Sequence, residues 1–293
     1  AWFLAARPKT LTGAIIPVLL GSALAFSDGQ FKTAPALLCA LFACGMQIAA
    51  NFINDLFDFQ KGTDRREDRL GPQRACAEGW ITPAAMKTGI GIALTLSCLA
   101  GLAVLFTVWG QLPHGGWELV VLGVGCILFA FLYTTLLSYR GWGDVLVLVF
   151  FGFVPVCGTY YVQAYTLNMD VVVLSLVSGL AIDTLLMVNN YRDREQDAVS
   201  GKCTLVVRYG KKFGENMYLA LGIAAVLLCF WFVYTGKLTP LEFIWAPCVY
   251  LYMHALTWRK MIQIGSGKKL NSILGETSRN MLFLGLLLAV ALN

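Results

Sequence analysis

Charge is scarce in this sequence. Asp, Glu, Lys and Arg make up 13% of its 293 residues, while 58% are hydrophobic. A water-soluble domain carries roughly 25% charge, so this chain cannot cover a water-facing surface. That excludes a soluble enzyme, a nucleic-acid-binding domain and a disordered tail. The net charge of +5 is therefore read as orientation in a membrane, not as attraction to a polyanion. Histidine is scarcer still: His114 and His254 are the two present. Both read as structural, and no Ser/His/Asp or Cys/His nucleophile is in view. The nine cysteines are scattered, odd in number and without a CxxC pair. They act as small hydrophobes, not as a disulfide framework or metal site. Pro- or Ser-rich linkers are also missing, so the sequence reads as one domain over 1–293.

Long apolar runs are what the sequence has in abundance. About 20 apolar residues are needed for a helix to cross the hydrocarbon core. Runs of that kind lie near 11–27, 34–57, 84–108, 118–137, 144–163, 170–190, 216–235, 240–258 and 277–292. The first is followed by many others and reads as a span, not as a removable leader. Unpaired backbone groups are not tolerated in lipid and no alternating strand pattern is visible, so the spans are helices. The expected fold is all-α: a polytopic membrane bundle of nine transmembrane helices. Under strict alternation, all but Lys32 and Lys237 of the 22 Lys and Arg residues fall on one side. The positive-inside rule then puts the N-terminus in the cytoplasm and the C-terminus outside. Two cytoplasmic loops, roughly 58–83 and 191–215, hold most of the polar residues.

Two acidic clusters mark the ends of the second and sixth spans. In the first, Asn51, Asn54, Asp55 and Asp58 share one helical face, which Gln47 extends one turn deeper. In the second, Asn190, Asp193 and Asp197 share a face, with Asp183 on it ~15 Å deeper. Converging carboxylates repel each other unless cations hold them. Hard oxygen ligands at DxxD and DxxxD spacing suit Mg²⁺, which is often completed by phosphate oxygens. Lys61, Arg65, Arg66 and Arg74 accompany the first cluster, and Arg192, Lys202 and Arg208 the second. Carboxylates, Mg²⁺ and Lys/Arg together make a diphosphate site. Asp183 is costly at its depth and reads either as functional or as a neutral, locally paired acid.

These residues resemble the intramembrane aromatic prenyltransferases, the UbiA superfamily. Asn54, Asp55 and Asp58 match that family's NDxxDxxxD motif, after which the spacing departs: Gly62 stands where the third Asp would be, and the next acid is Asp64. The strings NDLFDFQKGTD, DRLGPQRACAEGWITPAAM, GWGDVLVLVFFG and NNYRDREQDAVSGKCTLVVRYG, with Arg7-Pro8-Lys9-Thr10, are similar to the 1,4-dihydroxy-2-naphthoate polyprenyltransferases of menaquinone synthesis. The resemblance implies Mg²⁺ on Asp55, Asp58, Asp193 and Asp197. It implies diphosphate contacts from Asn54, Lys61, Lys202, Arg74 and Arg192. Tyr133 and Arg140 fall where the superfamily often has a Tyr and a basic residue. Tyr191 and Asp183 complete the candidates for the aromatic or prenyl end.

The implied reaction is alkyl transfer. A polyprenyl diphosphate ionises, the ring of 1,4-dihydroxy-2-naphthoate attacks the allylic cation, and the carboxylate leaves as CO₂. The isoprenoid tail would lie between helices, open to the lipid bilayer, and the setting would be a bacterial inner membrane. Other acceptors of the superfamily, such as 4-hydroxybenzoate, homogentisate, haem or a chlorophyllide, remain open, as does a transporter of an anionic solute. Chain length and oligomeric state are not legible.

Overall fold

The computed structural model describes residues 1–62, 69–133 and 137–293, with Ser138 as backbone. Asp64, Arg65, Arg66, Glu67 and Asp68 therefore lie outside the described residues. The described chain is helical, with no strand among these residues. A short α1 (Trp2–Ala6) turns at Arg7 into α2 (Pro8–Ser27). Then follow α3 (Thr33–Gln60), α4 (Pro83–Val108) and α5 (Trp117–Leu132). α6 (Gly143–Val147) continues through a π-type segment, Leu148–Phe153, into α7 (Val154–Ala164). α8 (Met169–Val199), a short α9 (Leu205–Tyr209) and α10 (Lys211–Tyr234) come next. α11 (Pro240–Phe243) joins α12 (Val249–Ile264) through a second π-type segment, and α13 (Leu270–Ala291) ends the fold.

Among the described residues, seven helices are long and apolar enough to cross a membrane, with Gly143–Ala164 counted as one. The other two expected crossings are less regular. Trp117–Leu132 has 16 residues, and the stretch from Pro240 to Ile264 is interrupted around Pro247. Two boundaries also move. α8 does not stop near 190 but runs on to Val199, ~13 Å farther. The face that Asn190, Asp193 and Asp197 share by spacing is thus carried on α8 itself, past the end of its apolar run. α13 starts at Leu270, a turn and more before the apolar run. In both cases helical backbone outlasts the hydropathy that marks the membrane.

The π-type segment before α7 has an identifiable cause. Pro155 has no N–H to give to the carbonyl four residues back, that of Phe151. Ser178 on α8 donates to that oxygen at 2.9 Å. A backbone acceptor that lipid would leave unpaired is so satisfied across helices. The approach this needs is close: a Cβ on Gly152 would stand 2.5 Å from the Ser175 carbonyl oxygen and 3.2 Å from Gly179 Cα. Small residues allow such backbone contact, as is usual between helices in a bilayer.

α8 is the axis of the bundle. Its side chains Val171, Leu174, Val177, Ala181 and Ile182 are buried with Leu20 and Leu24 of α2, Phe232 of α10 and Leu284 of α13. Its two ends carry the polar chemistry. At the start, Asp170 accepts from Trp231 Nε1 at 2.7 Å and lies 3.8 Å from Lys237 Nζ. Lys237 also pairs with Asp28, which accepts from Tyr160 at 2.6 Å. Burial works against the charge on Asp28, but hydrogen bonds from Lys237, Tyr160 and Asn168 hold its carboxyl below the usual carboxylate range. A depressed folded pKa contributes stability above the unfolded value, lost as pH falls through the folded one. Asp28→Ala should lower thermal stability by about 2 kcal/mol at pH 7, with the gap to wild type closing below about pH 4. Turnover per folded molecule should stay unchanged. A pH-independent difference in melting temperature would count against this account.

Candidate active site

The site is built at the other end of α8, where it meets the end of α3. Asn51, Asn54, Asp55 and Asp58 lie on one face of α3, as their spacing requires. Their tasks differ. Asp55 is 1% exposed, and its two oxygens accept the backbone N–H groups of Ala75 (2.9 Å) and Cys76 (3.0 Å). It ties down the turn that carries Arg74. Burial and the neighbouring Asp55 push the Cys76 thiol up to about 12. Asp58, one turn on, faces the open side and accepts from Arg74 Nη2 at 3.2 Å.

On α8, Asp193 accepts from Arg192 Nε (2.7 Å) and Nη2 (2.6 Å). The remaining face of that guanidinium reaches Asn271 Oδ1 at 2.8 Å, and Asn271 Nδ2 reaches the Leu70 carbonyl at 2.8 Å. One chain of hydrogen bonds thus links the end of α8, the start of α13 and the segment after α3. Asn271 was not among the sequence candidates. Asp197 lies 3.7 Å from Lys202 Nζ, and its Oδ2 is buried with no hydrogen-bond partner. Burial disfavours the charge on Lys202, yet the fields of Asp197, Tyr133, Asp58 and Asp193 raise its pKa above the usual lysine value. Arg69 is pushed the other way, to about 10, by burial and by Arg7, with Asp193 and Asp58 opposing. Lys61 Nζ stands 4.0 Å over the Tyr139 ring, and the Tyr139 carbonyl accepts from Cys203 N at 3.0 Å. The acids of α3 and α8 are therefore joined electrostatically through Lys202 and structurally through Asn271.

Beneath this head lies a cavity of about 650 Å³ lined by α2, α3, α4, α5, the α6–α7 stretch and α8. Its polar end carries Arg7, Thr10, Asn51, Asn54, Tyr133 and Asn189; its body is mostly aliphatic and aromatic. Phe129 and Phe150, both on its wall, pack with ring centroids 5.1 Å apart.

Other expected residues stand elsewhere. Tyr191 is fully buried and donates to Glu215 on α10 at 3.0 Å, away from the cavity. Arg140 is exposed on the surface. Asp183 is buried behind the cavity wall with an unpartnered Oδ1, as is Asp144 of α6. His254 bonds the Tyr218 carbonyl at 2.9 Å, as a packed structural histidine does.

Among the described residues no three acidic, His or Cys side chains stand together as metal ligands. Arg74, Arg192 and Lys202 lie against Asp58, Asp193 and Asp197 instead. The donor set still fits a hard divalent cation: carboxylate oxygens, a buried unpaired Oδ2 on Asp197, and neighbouring cations able to turn toward a phosphate.

A helical membrane protein whose acidic head closes over a lipophilic cavity is built to hold a molecule charged at one end and greasy along its length. The chain belongs to the UbiA prenyltransferase family, whose profile matches residues 14–272. It is 38% identical over 232 residues to the 1,4-dihydroxy-2-naphthoate octaprenyltransferase of Escherichia coli K12, covering 78% of this chain and 74% of that one. Against the enzyme of the same description from Mycobacterium leprae it is 34% identical, over 100% of this chain and 96% of the relative. Among solved structures, a UbiA homolog from Aeropyrum pernix K1 superposes with a TM-score of 0.70 at 15% identity, over 97% of both chains. One from Archaeoglobus fulgidus, bound to GPP and Mg²⁺, gives 0.67 at 13% identity over 99% of this chain and 100% of that one. At such identities the structural likeness speaks to the fold.

Proposed function

We propose that this membrane enzyme transfers a polyprenyl group from polyprenyl diphosphate to 1,4-dihydroxy-2-naphthoate, giving demethylmenaquinol for menaquinone synthesis. Diphosphate and CO₂ are released. The observation that carries the reading is the meeting of the α3 and α8 acid clusters over an apolar cavity, in a chain whose relatives of 33–38% identity bear that activity. Asp58, Asp193 and Asp197 would hold Mg²⁺, which supplies charge neutralisation for the diphosphate. Asn54, Lys61, Arg74, Arg192 and Lys202 face the diphosphate oxygens and take up charge as the C–O bond breaks. Asp55 positions Arg74 through the turn it holds. The walls of the cavity keep water from the allylic cation, and the faces of Phe129, Phe150 and Tyr133 stabilise it. The ring carbon then forms the new C–C bond, and loss of the carboxylate as CO₂ returns an electron pair to the ring. No side-chain nucleophile is required. The setting is a bacterial inner membrane, with the acidic head and the N-terminus on the cytoplasmic side and the C-terminus outside.

Purified protein in nanodiscs should release diphosphate and CO₂ when given Mg²⁺, a long prenyl diphosphate and dihydroxynaphthoate. EDTA should reduce the rate at least a hundredfold. Among aromatic acceptors, 4-hydroxybenzoate should react far more slowly; faster reaction with it, or undiminished turnover in EDTA, would overturn the assignment.

A further inference from the structure

Lys61, Arg69, Arg74, Arg192 and Lys202 all stand around the acidic head, and none of them lines the cavity. Among the described residues that do line it, Arg7 is the one charged side chain. Its backbone is unusual: φ 51° and ψ 70° place it in the left-handed region, between α1 and α2. A non-glycine residue stays there only when its surroundings enforce it, and such positions gather at functional sites.

The enforcement is visible. Thr10 donates its hydroxyl to the Arg7 carbonyl at 2.9 Å. Asn51 Nδ2 donates to the Ala6 carbonyl and to Thr10 Oγ1, both at 2.9 Å. Gln47 Nε2 reaches Thr10 Oγ1 and Asn51 Oδ1 at 3.4 Å. These groups fix the main chain of the turn. They leave the guanidinium itself under-served: Nη2 is buried with no hydrogen-bond partner. Burial lowers the Arg7 pKa, against the fields of Asp55 and Asp58. A desolvated guanidinium with a buried Nη2 left unpaired is costly unless an anion completes it.

A planar fork of five donors suits a two-oxygen anion. The isoprenoid tail has none. The diphosphate is met by the cations of the head. The aromatic acceptor brings a carboxylate into the same space. We propose that Arg7 binds the carboxylate of the aromatic acceptor and selects for acceptors that carry one, an inference that rests on the reading of the chain as a prenyltransferase for dihydroxynaphthoate. Held so, the ring lies at the polar end of the cavity, next to Tyr133 and Asn189 and below the acidic head. When the carboxylate leaves as CO₂, the ring keeps the electron pair and the product has nothing left to offer Arg7. Its hold on the product head ends in the same step that completes the reaction.

The test compares two ligands, 1-hydroxy-2-naphthoate and 1-naphthol, which differ by the carboxylate. Their binding to the protein in nanodiscs is measured by calorimetry, independent of turnover. The wild type should bind the carboxylate-bearing ligand at least tenfold more tightly, and Arg7→Ala should reduce that ratio below twofold. In turnover, Arg7→Ala should raise KM for dihydroxynaphthoate at least tenfold and leave KM for prenyl diphosphate within twofold. Arg7→Lys, which keeps the charge and loses the fork, should fall between; it serves as the test variant if Arg7→Ala fails to fold. A ratio unchanged by substitution, or a KM effect confined to prenyl diphosphate, would overturn the assignment. Failure of the wild type to prenylate dihydroxynaphthoate, with the binding ratio still dependent on Arg7, would sink the functional reading and leave the carboxylate site standing.

Discussion

Asp197→Asn should lower the rate of prenyl transfer at least a thousandfold, about 4 kcal/mol of transition-state stabilisation, and Asp58→Asn should do the same within a factor of ten. Each substitution preserves shape and removes one negative charge from the head. Asp197 is the sharper case. Its Oδ2 is buried without a partner, while Lys202 beside it has its positive charge sustained by Asp197, Tyr133, Asp58 and Asp193. On the proposed reading, removing that carboxylate takes away a metal donor and releases Lys202 from the position in which it would meet the diphosphate. The half-saturating Mg²⁺ concentration should therefore rise along with the loss in kcat, and high Mg²⁺ should restore part of the rate. Melting temperature should change little, because Asn keeps the shape, Oδ2 has no hydrogen bond to lose, and Lys202 still faces Asp58 and Asp193. Wild-type turnover by Asp197→Asn at low Mg²⁺ would remove Asp197 from the metal set.

Asp55→Ala should have a second large effect by a different route. Two buried backbone N–H groups, of Ala75 and Cys76, lose their acceptor. Each buried donor left unsatisfied costs about 1–3 kcal/mol, so the variant should lose about 2–5 kcal/mol of stability. Activity should fall through KM for the prenyl diphosphate, since the turn that positions Arg74 against Asp58 is no longer held. The Mg²⁺ requirement should stay near the wild-type value. A metal ligand would behave in the opposite way: a large change in Mg²⁺ dependence with the fold undisturbed. That outcome for Asp55→Asn would return Asp55 to the metal set, and stability with metal dependence separates the two roles in one pair of titrations.

The contrast between these acids shows what a sequence can carry. The shared face of Asn54, Asp55 and Asp58 follows from helical spacing alone. The partners of Asp55 do not, because backbone amides twenty residues away leave no trace in side-chain pattern. α8 is similar. Its apolar run ends near 190, so hydropathy places a loop there, yet the backbone hydrogen-bonding pattern continues through charged residues to Val199. The buried position of Tyr191 follows from spacing. It sits two positions before Asp193, so the two side chains leave the helix about 200° apart, and the one that faces the head commits the other to the core. Arg140 was singled out by resemblance at a shifted spacing, and it lies exposed. Asn271 had no local signal; only the fold brings it against Arg192 and Leu70. Arg7 stood in a string already noted for its resemblance, but its strained backbone and missing partner become visible only in three dimensions.

The clasp through Asn271 makes the geometry of the acidic end of α8 depend on a distant helix. The hydrogen bonds that fasten the end of α8 to the segment after α3 pass through a residue at the start of the last helix. The end of α8 and the segment after α3 are therefore tied to each other only once α13 has packed into the bundle. A change that loosens the packing of α13 on α8 should therefore be felt among the acids at the end of α8, even where it touches none of them.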